Sequence, residues 1–463
     1  MDDLDPGSFG QEHFGAANLG HAERNRCLIK IANRIQRHPG GTLPDKLSCP
    51  KDYKAMLRLA NRGEVTHAAV LQPHQQRTFR LMREVAGTTV LVVHDTTELD
   101  YSGLESLAAE LGPIGNGLGR GYLCHNSLAI DPQRREVLGL AHQLLHCREA
   151  APPHEGVAAK RARESRESRL WTRAVEALGP AMPDKRCVDV CDRGADVFEF
   201  LAYEVHAERS LLVRSTHSRS IEVGQANGGR TCLHAYARTL PPQGQRTLTI
   251  AARDGKPKRT TRVAVAWAPV RVAPPHVQRG VYEKRPLDLW VLRVWEIDPP
   301  ADVDAVEWIL LTNVPVARLA DAWERVNWYE CRWIVEEYHK GQKTGCAIED
   351  MQFTSTAALQ PMIALLSVVA ITLLNLRELG RRPEAKSRLA TKVVAEEYVR
   401  VLSKWRYKEV RLDLTIHEFI LALARLGGHQ NRKRDGHPGW LVLWRGWMKM
   451  QYILVGYEIR GQS

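Results

Sequence analysis

The sequence predicts an α/β fold, with an antiparallel β insertion and helical segments at both ends. Three observations predict it. Apolar, β-branched runs at Thr88–Val93 and Cys187–Cys191 have the composition of strands buried on both faces of a sheet. From Ser215 to Val294 the chain alternates in polarity, with prolines and basic turns, as antiparallel strands do. Before about residue 70 and after Ala317 the apolar residues recur at helical spacing.

The first helix is expected over His21–Gln36, where Leu28, Ile31, Ala32 and Ile35 share a face surrounded by Arg24, Arg26, Lys30, Arg34 and Arg37. His38-Pro39-Gly40-Gly41 ends it. Further helices are expected over Asp52–Arg62 and from near His74. Strands follow at Thr88–Val93, Asn126–Ile130 and Glu136–His142, then a charged helix from about Val157 to Leu178. The strands Cys187–Cys191, Leu211–Val213 and Val306–Leu311 complete the α/β part, and the insertion lies between the last two. Pro361–Leu374 is apolar but shorter than the ~20 residues of a membrane span, so a buried helix is expected. No internal repeat is visible.

The chain has 463 residues, about three domains' worth, and its 44% hydrophobic and 25% charged composition excludes a largely disordered protein. With 65 Lys plus Arg against 53 Asp plus Glu the net charge is +12, which favours an anionic partner such as nucleic acid. Nine irregularly spaced cysteines do not make a disulfide framework. Zinc at Cys124–His125 with His146–Cys147 is disfavoured, because these pairs flank strands rather than tight turns. The first residues contain no basic and apolar leader, and a cytoplasmic protein with no membrane partner is expected.

Two buried strands lead into aspartates, Asp95 and Asp192. Carboxylates on the rim of a sheet can hold divalent metals, though such an Asp can also simply cap the next turn. The segment Glu324–Lys343 adds to this. As one helix at about 100° per residue, it places Tyr329, Arg332, Glu336, Lys340 and Lys343 in an arc of roughly 80°, opposite Cys331, Ile334 and Tyr338. Arg332, Glu336 and Lys340 alone could be a solvated ladder of ion pairs; Tyr329 and Lys343 in the same stripe are not needed for one.

The spacing Tyr329-x2-Arg332-x3-Glu336-x6-Lys343 resembles the YREK signature of the bacterial cut-and-paste DDE transposases of the insertion-sequence-four group. HDTTELDY around Asp95, VCDRGAD around Asp192, VEWILLTNVPV around Trp308 and ALARLGGHQNRKRDGHPGWLVLWRGW near the C-terminus are similar to that family in the same order. The first 60 residues match only loosely.

The resemblance implies a ribonuclease-H-like catalytic core with a β insertion, flanked by helical domains. Its boundaries fall at 1–70 for a DNA-binding domain, 71–376 for the catalytic domain (insertion about 215–294, glutamate helix 324–343) and 377–463 for a dimerisation domain. It implies that Asp95, Asp192 and Glu336 are catalytic and hold two Mg²⁺, for which Mn²⁺ substitutes. Tyr329, Arg332, Lys340, Lys343, Arg214 and Trp308 are implied DNA contacts, Trp308 as a platform for an unstacked base. His125 also matches the family but receives no role. The activity implied is cleavage of double-stranded element ends and joining of their 3′-hydroxyls to target DNA, by a homodimer assembled on the ends. An inactive DNA-binding relative, or another metal-dependent nuclease on the same core, are the alternatives.

Overall fold

The computed structural model describes residues 9–149, 152, 154–156, 159, 163–223, 229–250, 259–275, 285–301, 303–432 and 435–461. The N-terminal helices are α1 (Phe9–Phe14), α2 (Ala22–Arg37), α3 (Leu43–Leu47), α4 (Pro50–Ala60) and α5 (His67–Glu84). Leu28, Ile31, Ala32 and Ile35 of α2 are buried, as its periodicity predicts. The α5 helix starts seven residues before the expected His74, because Thr66 caps it by accepting the Ala69 N–H. Pro73 lies within its first two turns, where it costs less than deeper in the helix.

The central strands are β1 (Thr89–Asp100), β2 (Gly112–Ile114), β3 (Gly119–Asp131), β4 (Glu136–His146), β5 (Arg186–Cys191) and β6 (Ser210–Arg214). Helix α6 (Leu170–Leu178) precedes β5, and α7 (Phe198–His206) joins β5 to β6. The expected charged helix from Val157 is thus much shorter. Residues 163–169 form turns and a single 3₁₀ turn, while 157, 158 and 160–162 lie outside the described residues. The part that forms, LWTRAVEAL, is the part with an apolar face to bury.

The insertion holds β7 (Ser220–Glu222), β8 (Arg230–Cys232), β9 (Gly244–Ile250), β10 (Arg259–Val272) and β11 (Leu287–Glu296), and β12 (Glu307–Thr312) follows. Sequence periodicity missed the short helix α8 (Leu233–Thr239), whose Leu233 and Ala237 fill the insertion's own core. All β7–β12 pairings are antiparallel, while β1–β5 and β5–β6 are parallel. Together they form one 12-stranded mixed sheet. Its path is β2-β3-β1-β5-β6-β12-β11-β10-β7-β8, with β4 also on β3 and β9 also on β10.

After the sheet come α9 (Leu319–Glu330), α10 (Trp333–Lys340), α11 (Thr356–Leu379), α12 (Glu396–Tyr407), α13 (Ile416–Leu426) and α14 (Trp440–Gly461). Among the described residues α11 is the one helix long and apolar enough to cross a membrane, and 88% of its most apolar stretch is buried in the protein. One apolar cluster runs from Phe9 through the sheet and α11 to Leu454, so both helical ends share a core with the sheet. At the α13–α14 crossing, a Cβ on Gly427 would meet the Val442 carbonyl at 1.9 Å and one on Gly446 the Leu423 carbonyl at 2.0 Å. Only glycine permits backbones that close.

The insertion is fastened by Glu296, whose side chain is fully buried and accepts hydrogen bonds from Arg259 Nη2 (2.8 Å) and the Val306 N–H (3.1 Å). The Arg259 guanidinium holds its carboxyl at about 2, below the usual 4.5. A lowered carboxyl pKa stabilises the fold above about pH 4.5, and that contribution is lost as pH falls toward 2. Glu296→Gln is therefore expected to cost about 1–3 kcal/mol at pH 7. In urea unfolding, the gap from wild type should close as pH falls from 4.5 to 2.

Candidate active site

The site is built where β1, β5 and α10 meet. Strands β1 and β5 run parallel, with Val93 opposite Val190 and His94 opposite Cys191. One further step brings Asp95 beside Asp192 on the same face of the sheet. Asp192 directly follows β5, as the sequence predicts. Asp95 does not end its strand. It is the seventh of twelve residues of β1, because β3 supplies antiparallel partners as far as Asp100, and these hold the polar stretch extended.

Each aspartate is oriented by a nearby backbone amide. Asp95 Oδ1 accepts the Thr96 N–H at 2.8 Å, and Asp192 Oδ1 accepts the Gly194 N–H at 2.8 Å. The second bond is the turn-capping role that an isolated strand-end Asp can play. A Cβ on Gly194 would lie 2.6 Å from the Trp171 ring, so the turn carrying Asp192 can close against α6 only with glycine there.

Glu324–Lys343 is not one continuous helix. Cys331, Arg332, Ile334 and Val335 donate their N–H groups three residues back, which winds the chain tightly between α9 and α10. Beyond Lys340 the turn loosens into a π-helix over Gly341–Gly345, closed by the Cys346 N–H on the Gly341 carbonyl at 2.8 Å. Cys331, Ile334 and Tyr338 are buried, as expected of the opposite face. Arg332, at the tightened turn, reaches across the site. Its Nη1 lies 3.3 Å from Asp95 Oδ2 and its Nη2 2.5 Å from Glu336 Oε1.

Burial first, then the charges of Asp192 and Glu336, push the Asp95 carboxyl up to about 7, against the opposing pull of Arg332. The three carboxylates thus feel one another, but among the described residues no three His, Cys, Asp or Glu side chains form a ready-made ion cage. The guanidinium stands between Asp95 and Glu336. As a donor set the trio is all oxygen, which suits hard divalent cations such as Mg²⁺ or Mn²⁺, and the crowded negative charge is what such an ion would relieve.

Beside the carboxylates, Tyr329 is buried and hydrogen-bonds Arg214, and Trp308 meets the Tyr329 ring edge-on at 5.3 Å. Arg214 ends β6 and donates to the Glu307 carbonyl at 3.0 Å. The structure therefore gathers Asp95, Asp192, Glu336, Arg332, Tyr329, Arg214 and Trp308. It does not add the two lysines to that cluster. Lys340 is exposed, and Lys343 pairs with Glu349 at 3.0 Å, near Asp100 at the far end of β1. Change of helical winding on both sides of α10 is what dissolves the single stripe.

Supporting residues escaped the sequence reading. On the other face of the sheet His94 Nε2 and Asp189 Oδ1 are 2.8 Å apart, both fully buried, and Arg209 donates Nη2 and Nε to Asp189 Oδ2 at 2.8 and 3.1 Å. Burial alone would raise the Asp189 pKa; Arg209 and His94 more than offset it and hold it ionised. On the Asp95 face, Asn126, opposite Asp95 in register, lies 3.2 Å from His339 Nε2. Gln143 donates to Asn126 at 2.7 Å and to Ser367 of α11 at 2.9 Å. Polar residues inside apolar strands, Asp189 in RCVDVC above all, were the available signal. His125 sits in the sheet 2.8 Å from Thr96 Oγ1, edge-on to Trp171, and its burial lowers its pKa well below the usual histidine value.

The basic face of α2 is partly neutralised within the protein. Arg24 pairs with Glu64 (2.9 Å), Arg26 with Glu23 (2.6 Å), and Lys30 and Arg34 with Asp52 (2.6 and 3.3 Å).

Because the Asp95 carboxyl is raised above its usual 3.8, holding it ionised works against folding once pH exceeds about 4, increasingly up to about 7. Asp95→Asn is therefore expected to stabilise the protein in EDTA at pH 8 by about 1–3 kcal/mol. Melting curves at pH 8 and pH 4 check this, the gain vanishing at the lower pH. No protein-family model matches the chain, so function must be argued from these side chains and the motifs that carry them.

Proposed function

We propose that this chain is a DNA transposase that cleaves the ends of a mobile element and joins their 3′-hydroxyls to target DNA. The observation that carries the reading is the convergence of Asp95, Asp192 and Glu336, from two adjacent parallel strands and a crossing helix, with Arg332 and Arg214 beside them. The strand order supports it. Strands β4-β3-β1-β5-β6, with only β3 reversed, follow the order of a ribonuclease-H-like core, and the antiparallel insertion enters between β6 and β12.

In this reading Asp95, Asp192 and Glu336 hold two Mg²⁺, which when bound supply an activated attacking oxygen and stabilisation of the leaving one. The chain's own residues place the DNA. Arg214 and Arg332 take phosphate oxygens through their planar guanidinium groups, and Tyr329 holds Arg214 in position. Trp308, packed on Tyr329 and half-buried, offers a flat apolar surface to an unstacked base. Lys340 and Lys343, farther along the helix, extend the basic track along the duplex. The net charge of +12 makes that binding steeply salt-dependent.

Asp95→Ala, Asp192→Ala and Glu336→Ala are each expected to lower cleavage of a labelled element end in Mg²⁺ by at least about a thousandfold. Binding of the same end in Ca²⁺, read by gel shift, should stay within a few-fold of wild type. Cleavage near the wild-type rate in any of the three variants removes that residue from the site. Wild-type cleavage without joining of the 3′ ends to a supercoiled plasmid would point to a nuclease of the same core instead.

Cut-and-paste chemistry needs both ends held together, so we propose that two protomers pair on two ends through the C-terminal helices. Tyr452, Val455 and Tyr457 of α14 are 69%, 41% and 49% exposed, an apolar row on a helix otherwise anchored by Trp440, Trp444 and Trp447. Tyr452→Glu with Tyr457→Glu is expected to leave single-end binding and abolish the two-protomer, two-end complex in mass photometry. A stable, active one-to-one complex of the wild-type protein would overturn pairing.

A further inference from the structure

Resting on the metal-dependent reading above, this inference concerns what holds the carboxylates together before an ion and DNA arrive. Arg332 is 8% exposed and spans Asp95 and Glu336 with its two terminal nitrogens. Its Nε is buried with no hydrogen-bond partner among the described residues, so its two ion pairs are the bonds that fix the guanidinium. They occupy oxygens of two of the three proposed ligands. A divalent cation would need the same lone pairs, and two positive charges a few ångströms apart in a half-buried site repel strongly.

The side chain has somewhere else to go. The Trp333 ring centre is 5.1 Å from Arg332 Cζ, and the Tyr329–Arg214 pair adjoins it on the side of the proposed phosphate contacts. A phosphate offers a guanidinium the same planar, two-point pairing that the carboxylates do.

We propose that Arg332 is a resident counter-ion of the carboxylate site. A divalent cation must displace it, and a DNA phosphate assists by taking the guanidinium. Ion and DNA binding are then positively coupled, each raising the other's affinity by the same factor. The site stays assembled in the absence of both, and the DNA-free protein binds the ion weakly.

Isothermal titration of the full chain with Ca²⁺, with and without a DNA duplex, tests this. Without DNA, Arg332→Gln should bind Ca²⁺ about tenfold more tightly than wild type, since a competing positive charge is gone. Adding the duplex should tighten Ca²⁺ binding several-fold in wild type and leave the variant unchanged. Arg332→Lys, whose single ammonium cannot span both carboxylates, should fall between and guards against misfolding of the glutamine variant. A folded Arg332→Gln protein that binds Ca²⁺ no better than wild type overturns the counter-ion role, as does equal tightening by DNA in both. Asp95→Asn separates the two levels. If it loses Ca²⁺ binding while Arg332→Gln gains nothing, the counter-ion role alone fails. If it binds Ca²⁺ as wild type does, the ion site lies elsewhere and the metal-dependent reading fails with it.

Discussion

The parallel pairing of Thr89–His94 with Arg186–Cys191 is the constraint on which the rest of the site depends. It sets two aspartates side by side where burial and mutual repulsion oppose their charge. Everything around them either supports the pairing or answers the charge. Behind it, Val92 and Val90 pack with Met82 and Cys187, and the His94–Asp189–Arg209 chain satisfies the polar atoms left inside. A buried ion pair of this kind adds little net stability compared with apolar packing, but losing one partner strands the other's charge. It thus specifies how β1, β5 and β6 align more than how strongly they associate. Arg209 extends the effect by donating to the Gly179 carbonyl at the end of α6, the helix whose Trp171 presses on Gly194 beside Asp192.

On the front face, the position of Glu336 is set by a helix that is neither straight nor uniform. The tightened turn at Arg332 and the π-turn after Lys340 are departures from ideal winding that in other proteins often mark functional sites. Here they bracket the two turns that carry Glu336. The Asn126–His339 contact pins those turns to the strand next to β1, and Gln342, Gln143 and Ser367 continue the polar chain into α11. Such a network, buried between apolar layers, holds one register of helix against sheet because any slip leaves amide groups without partners. Precision at Glu336 therefore comes from residues that never approach the proposed reaction.

The helical ends of the chain are joined to this centre through a common core. Leu28, Ile31 and Ile35 of α2 and Leu443, Trp447 and Met450 of α14 belong to the same apolar cluster as Leu91 and Val93 of β1. The ion pairs of α2 with Asp52 and Glu64 show that part of its basic face serves the fold. DNA binding by that helix would then draw on the charges left over, and the larger share of positive potential near the carboxylates comes from Arg214, Arg332 and the lysines beyond Glu336.

Strand identity at β5, β6 and β12, the α2 helix, and burial of α11 were legible in the sequence, because each is decided by local apolar pattern. So were the chemical types at Asp95, Asp192 and Glu336, and the antiparallel texture of the insertion. Local pattern could not show that β1 continues through Asp95 to Asp100, since that depends on a partner strand about thirty residues away. Nor could a fixed 100° per residue foresee the two changes of winding that separate Lys340 and Lys343 from Arg332 and Glu336. The assembly of Arg332 between two carboxylates, and of Arg214, Tyr329 and Trp308 into one cluster, was decided only by tertiary structure. Residue type and spacing along the chain determine what chemistry is available; long-range pairing determines which of those groups share one space, because the contacts that settle it join positions more than a hundred residues apart.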